Sequence, residues 1–195
     1  MDKVSYALGL SLGNNLLSSG ITELNIEKLA KGIKDVIEQN KPEFSYQEAQ
    51  TVINDYFEQL QSTVGEKALK EGQDFLAENS KRENVVTLPS GLQYEVLTKG
   101  NGTTPKASDK VKVHYHGTLI SGQVFDSSVR RGEPATFGVT QVIQGWVEAL
   151  QLMPVGSKWK LFIPSNLAYG TQGAGQSIGP NTTLIFDVEL LDIVK

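Results

Sequence analysis

The feature that constrains this chain most is a change of hydrophobic period at Leu88-Pro89-Ser90-Gly91. Before it, apolar residues recur three and four apart, the spacing that puts them on one face of a helix. After it they alternate, the spacing of a half-buried strand. The two patterns need different packing partners, so the chain divides into a helical part, residues 1–84, and a strand-rich part, residues 85–195.

In the helical part Val4, Ala7, Leu8, Leu12 and Leu16 share a face, and Gly20 is placed to end the helix in a left-handed cap. Gly9 and Gly13 each cost roughly 1 kcal/mol against alanine inside a helix, which points to close approach of another helix. A second helix carries Ile26, Leu29, Ala30, Ile33, Val36 and Ile37, with Asn25 as its cap and Pro42 beyond its end. Ser45-Tyr46-Gln47-Glu48 is a capping box that starts a third helix.

That third stripe runs through Ala49, Val52, Ile53, Tyr56, Phe57, Leu60 and Val64, then more weakly to Phe75 and Leu76. Unbroken to Arg82, the helix would be roughly 55 Å long, more than two short helices can cover. Either it is a solvated linker or a second copy of the chain covers its stripe. Dimerisation is favoured, because three helices of this size bury little core on their own. Gly65 and Gly72 read as points of bending or fraying.

In the strand-rich part Leu92, Tyr94 and Val96 alternate with polar neighbours, and Val111 to Leu119 puts its odd positions toward a core. Val124-Phe125 begins a return strand, and Arg130-Arg131-Gly132-Glu133-Pro134 reads as a loop leading to Phe137. Val142, Ile143, Trp146, Val147 and Leu150 are at helical spacing. Trp159 to Ile163 and Thr183 to Leu191 are strands, with a glycine-rich loop from Tyr169 to Pro180 between them. The expected architecture is α+β: five antiparallel strands wrapped on one short helix, preceded by the helical module.

Composition removes several functions. With 18 basic against 22 acidic residues and no basic cluster, nothing suits a nucleic-acid partner. The absence of cysteine excludes thiol nucleophiles, disulfides and cysteine-ligated zinc. The first residues lack a basic n-region and the apolar run behind them is broken by Asn14-Asn15, so no membrane span is expected and the expected location is cytoplasmic. A chain relieved of a signal peptide, and so periplasmic or surface-exposed, would read the same.

No cofactor is called for. His114 and His116 share one strand face with no third ligand in view, so two histidines on a solvated face are expected rather than a metal site. The glycine-rich loop has no G-x-x-x-x-G-K-[ST] and leads into a strand, which argues against phosphate binding. No G-x-S-x-G occurs. What remains is a set of loop and strand-end residues, Tyr115, Phe125, Phe137, Val142, Ile143, Trp146, Tyr169, Ile178 and Phe186, with Asp126 among them. Each alone reads as core.

Together, Val111-Lys112-Val113-His114-Tyr115-His116-Gly117, Val124-Phe125-Asp126-Ser127-Ser128, Val142-Ile143-Gln144-Gly145-Trp146, Ala168-Tyr169-Gly170 and Leu184 to Leu191 resemble the FKBP-type peptidyl-prolyl cis/trans isomerases. The helical part, opening Ser5-Tyr6-Ala7-Leu8-Gly9, resembles the dimerisation module of their Mip-like bacterial subgroup. The resemblance implies a homodimer formed through residues 1–84. It implies proline-containing peptides and unfolded proteins as substrates, and macrolides such as rapamycin or tacrolimus as ligands. It makes Trp146 the floor of a proline pocket walled by Tyr115, Phe125, Val142, Ile143 and Phe186, with Phe137 and Ile178 beside them. The Ile143 amide and Tyr169 hydroxyl are expected to hold substrate carbonyls, and Asp126 to place a carboxylate near the rotating one; read alone, Asp126 is a turn residue bonding Ser127 or Ser128. Ala135 and Ala174 depart from the commoner pattern, which bears on macrolide affinity and on the residue preferred before proline. The competing expectation is a non-catalytic dimeric chaperone that binds peptides.

Overall fold

The computed structural model describes residues 2–194, which form two compact units, one up to Leu60 and one from Gln61 onward. The first contains α1 (Asp2–Ser18), α2 (Ile26–Ile37) and the beginning of α3 (Tyr46–Asn79). Gly20 ends α1 at φ +83°, where its N–H reaches the Leu17 carbonyl and that of Ile21 the Leu16 carbonyl, each at 3.0 Å. These bonds satisfy two carbonyls that a helix end leaves unpaired. Asn25 caps α2, its side chain accepting the Lys28 N–H at 2.9 Å.

The capping box forms as read: Glu48 N–H donates to Ser45 Oγ at 3.2 Å and Ser45 N–H to Glu48 Oε2 at 2.7 Å. The bond from the Ser45 backbone holds the Glu48 carboxyl below its usual range. α3 then runs 34 residues, about 51 Å, and stops at Asn79 rather than Arg82. Gly65 and Gly72 do not interrupt it or mark its end; both are buried within an unbroken helix.

No residue of α1 or α2 is buried. Gly9 and Gly13 face open space, so among the described residues no helix makes the close approach expected there. Leu8 is 66% exposed and Tyr6 72%. An apolar groove between α2 and α3, lined by Leu29, Ile33, Val36, Ile37, Phe44 and Ile53, is likewise uncovered.

The second unit is built on an antiparallel sheet of β1 (Val85–Thr87), β2 (Gln93–Thr98), β3 (Lys110–Leu119), β4 (Val124–Ser127), β5 (Ala135–Gly138), β6 (Lys158–Ile163) and β7 (Leu184–Val194). The order is β1-β2-β6-β7-β3-β4, with β5 also on β3. Among the described residues there are seven strands, not five. The additional two, β1 and β5, have three and four residues, too few for alternation to show.

Val111, Val113 and Tyr115 of β3 point inward as read, against Val188 and Leu190 of β7 and Leu161 and Ile163 of β6. The sheet wraps α5 (Gln144–Leu150), which buries Trp146, Ala149 and Leu150. A Cβ on Gly145 would stand 2.5 Å from Ile163 Cγ2, so only glycine lets α5 lie this close to β6. Val142 and Ile143 fall outside the helix. Ile143, at φ −59° and ψ 149°, is the extended residue that precedes it.

Candidate functional site

β3 pairs with β7 along one edge, but its other edge is shared by β5 at Lys110 to Val113 and by β4 at His116 to Thr118. Between them Tyr115 has no strand partner on that edge. Its N–H donates to Ser128 Oγ at 2.7 Å and its carbonyl accepts from the same hydroxyl at 3.2 Å. Ser128 is fully buried, so one side chain satisfies backbone groups that a strand would otherwise pair.

The chain uses the gap to leave the sheet as a single helical turn, α4 (Ser128–Arg131), capped by Ser127, whose Oγ accepts the Arg130 N–H at 3.2 Å. That turn brings Arg131 back over Tyr115. The guanidinium carbon lies 5.6 Å from the Tyr115 ring centre, Nη2 donates to the phenol oxygen at 2.8 Å, and Nη1 donates to Asp126 Oδ1.

Asp126 is therefore more than a turn residue. Its Oδ1 does accept the Ser127 N–H at 2.8 Å, while Oδ2 accepts the Tyr115 hydroxyl at 2.5 Å. Desolvation pushes its carboxyl upward, but the bonds from Tyr115 and Arg131 outweigh this and hold it below the usual range. Burial and then the bond to Asp126 push the Tyr115 phenol up, so it stays protonated and donates.

A depressed folded-state value contributes stability above the ordinary carboxylate range and loses it as pH falls below. The difference in melting temperature between the wild type and Asp126→Asn should therefore be small and constant from pH 8 to 5, and shrink below about pH 4. Thermal unfolding across that range checks it; a difference that already changes between pH 7 and 5 would contradict the assignment.

The triad borders an open cleft of about 430 Å³ lined by Tyr115, Phe125, Asp126, Phe137, Gln141, Val142, Ile143, Trp146, Tyr169 and Phe186. Trp146 is 4% exposed and is met edge-on by Phe186 at 5.3 Å, Tyr115 at 5.5 Å and Phe137 at 6.0 Å between ring centres. Phe125 meets Phe186 edge-on at 5.4 Å. Edge-to-face contacts set each ring against its neighbour's quadrupole and so fix the shape of the wall. The Ile143 N–H donates to no backbone acceptor among the described residues, and the Tyr169 side chain is 40% exposed at the rim.

The structure thus gathers nine of the ten sequence-derived site residues around one cleft. Ile178 is not among the lining residues; it is buried in the core cluster. Arg131 and Gln141 were not anticipated. The signal for Arg131 was a serine cap one helical turn before it, in a stretch read as loop. The histidines do not lie on a bare solvated face either: both are half-buried, with His114 Nδ1 3.1 Å from Ser128 Oγ and His116 Nδ1 2.9 Å from Ser127 Oγ. Among the described residues no three potential metal ligands cluster.

Comparison with known proteins bears on this geometry. Residues 101–191 match the family described as FKBP-type peptidyl-prolyl cis-trans isomerase, and residues 1–96 the domain amino terminal to it. The FKBP-type 22 kDa peptidyl-prolyl cis-trans isomerase of Escherichia coli K12 is 47% identical over 98% of this chain and 95% of its own. The outer membrane protein MIP of Legionella longbeachae is 43% identical over 100% and 86%. The crystal structure of FkpA from Escherichia coli superposes with a TM-score of 0.78 at 37% identity, covering 98% of this chain and 95% of that one.

Proposed function

We propose, because the chain belongs to the FKBP-type peptidyl-prolyl cis-trans isomerases, that the cleft over Trp146 is where an Xaa-Pro bond is turned. The protein is a peptidyl-prolyl cis/trans isomerase. The observation that carries the assignment of the cleft is its make-up: a floor and walls of edge-to-face rings, with a single carboxylate held ionised at the rim.

Rotation about the peptide C–N bond faces a barrier of about 18 to 20 kcal/mol, set by amide resonance. No bond breaks, so neither a nucleophile nor a cofactor enters the scheme. The planar amide is the more polar form, and an apolar cleft that strips its water while holding the proline ring on Trp146 favours the twisted one. Accelerating the rotation a hundred-thousandfold takes about 7 kcal/mol of such differential stabilisation. The Ile143 amide and the Tyr169 hydroxyl take the flanking carbonyls. Asp126, fixed by Tyr115 and Arg131, holds a negative charge near the carbonyl carbon, which becomes electron-poor once conjugation is lost.

The test is isomerisation of a short Xaa-Pro peptide. Wild type should turn over well above background and be inhibited by rapamycin, a macrolide that this reading seats in the same cleft. Asp126→Ala should fall about tenfold or more. No turnover by the wild type would make a dimeric peptide-binding module the better account.

In this reading residues 85–195 are the isomerase domain and residues 1–84 the dimerisation domain. The homodimer forms through helices that bury nothing of their own, α1 above all, and the apolar surface that the dimer leaves exposed adds chaperone activity toward unfolded proteins. One relative is named an outer membrane protein, and no described helix is long and apolar enough to cross a membrane. Cell fractionation decides between cytoplasm and envelope.

A further inference from the structure

We propose that Asn181 is a positioning residue that ties α3 to the loop carrying Tyr169, so that the long helix sets the mouth of the cleft. The inference rests on the reading of Tyr169 as a substrate-contacting side chain.

The buried residues of α3 are Gly65, Gly72 and Asn79, spaced seven apart and hence in one stripe along the helix. A Cβ on Gly72 would stand 2.3 Å from Thr183 Oγ1, and one on Gly65 would stand 3.2 Å from both Pro180 Cβ and Asn181 Nδ2. The helix backbone therefore lies directly on residues 180–183. At its far end the contact is pinned by Asn79 donating to Gln93 Oε1 at 2.8 Å and Gln93 donating to the Leu76 carbonyl at 2.9 Å.

Asn181 faces both ways. Its Nδ2 donates to the Gly65 carbonyl of α3 at 3.3 Å, and its N–H donates to the Gly170 carbonyl at 2.8 Å, one residue from Tyr169. It does so at φ +55°, a left-handed conformation that asparagine tolerates better than most residues. The intervening loop is closed on itself: Ala174 and Ile178 exchange backbone bonds at 2.8 and 3.2 Å, and Thr182 Oγ1 donates to the Gly179 carbonyl at 2.8 Å. A loop so bonded moves as a piece, and its base is held at Asn181. Tyr169, lining the cleft beside that base, takes its place from the helix.

Asn181→Gly keeps the left-handed backbone and its N–H and removes only the side-chain tie. On a short Xaa-Pro peptide it should raise KM about fivefold while kcat stays within about twofold, because what is lost is placement of a binding group. In a Tyr169→Phe background the same substitution should change neither constant, a non-additivity that loss of overall stability cannot produce. Gly72→Ala should raise KM in the same way, and adding Thr183→Ala, which vacates the clashing atom, should restore it. An unchanged KM in Asn181→Gly would overturn the proposal and leave the isomerase reading standing. So would an equal rise with Tyr169 already replaced. A wild type without turnover would overturn both.

Discussion

Trp146→Ala should lower kcat/KM on a short Xaa-Pro peptide by about a hundredfold or more, equivalent to about 3 kcal/mol of lost transition-state stabilisation. Three rings meet the Trp146 indole edge-on, from β3, β5 and β7, so its removal takes away the element that keeps the walls apart and, on the proposed reading, the surface under the proline ring. Tyr115 is one of those walls and also the donor to Asp126, so the loss extends to the charged rim. The same substitution opens a cavity in the core and should cost about 3 to 5 kcal/mol of stability. For that reason Trp146→Leu is the informative companion: it refills apolar volume, recovers much of the stability and, lacking a flat face, leaves turnover low. Both variants should keep the association state of the wild type, since Trp146 lies in the second unit. Turnover within about threefold of wild type in a folded Trp146→Leu protein would rule out the indole as the floor of the site.

Part of the frame around this cleft could be read before the fold was known, because period carries orientation, whereas the pocket roles of its residues came only from the resemblance to the family. Alternation along β3 put Val111, Val113 and Tyr115 inward, and β3 is long enough for the pattern to be unambiguous. The short strands β1 and β5 could not declare themselves in that way. Ile178, an apolar residue in a glycine-rich loop, reads as a wall; the pairing of Ala174 with Ile178 closes that loop, and the side chain is buried in the core cluster that also holds Trp146 and Phe186. Arg131 was missed for a different reason. Its role depends on β4 and β5 sharing one edge of β3, a tertiary fact that neither propensity nor spacing contains.

The glycines of α3 show the limit most clearly. A hydrophobic stripe is visible because it consists of side chains, but Gly65, Gly72 and Asn79 mark a contact made by their absence or by a polar group. The same spacing that announces an amphipathic face hides a close-packed one. Gly9 and Gly13 pose the converse case: they too permit close approach, yet nothing among the described residues comes within 4 Å of a Cβ placed there.

The fragment from Gln61 onward should be a monomer with the turnover of the full chain on short peptides, whereas residues 85–195 alone should melt on the order of 15 °C lower. The change of period places the division near residue 84, but α3 from Gln61 packs within the second unit. Phe75 lies 5.9 Å from the nearly buried Phe162, Arg82 stands over the same ring, and Arg82 and Asn84 both donate to Glu95 of β2. Cutting at 84 exposes the Phe162 ring, worth about 2 kcal/mol, and breaks a charge-assisted bond worth about 1 kcal/mol more. Cutting at 60 leaves all of it in place and removes only the helices whose apolar faces are uncovered. Sedimentation equilibrium and thermal unfolding of the two fragments separate the effects. Equal melting temperatures would mean that residues 61–84 add nothing to the catalytic unit, and a dimeric 61–195 fragment would move the subunit interface out of the first unit altogether.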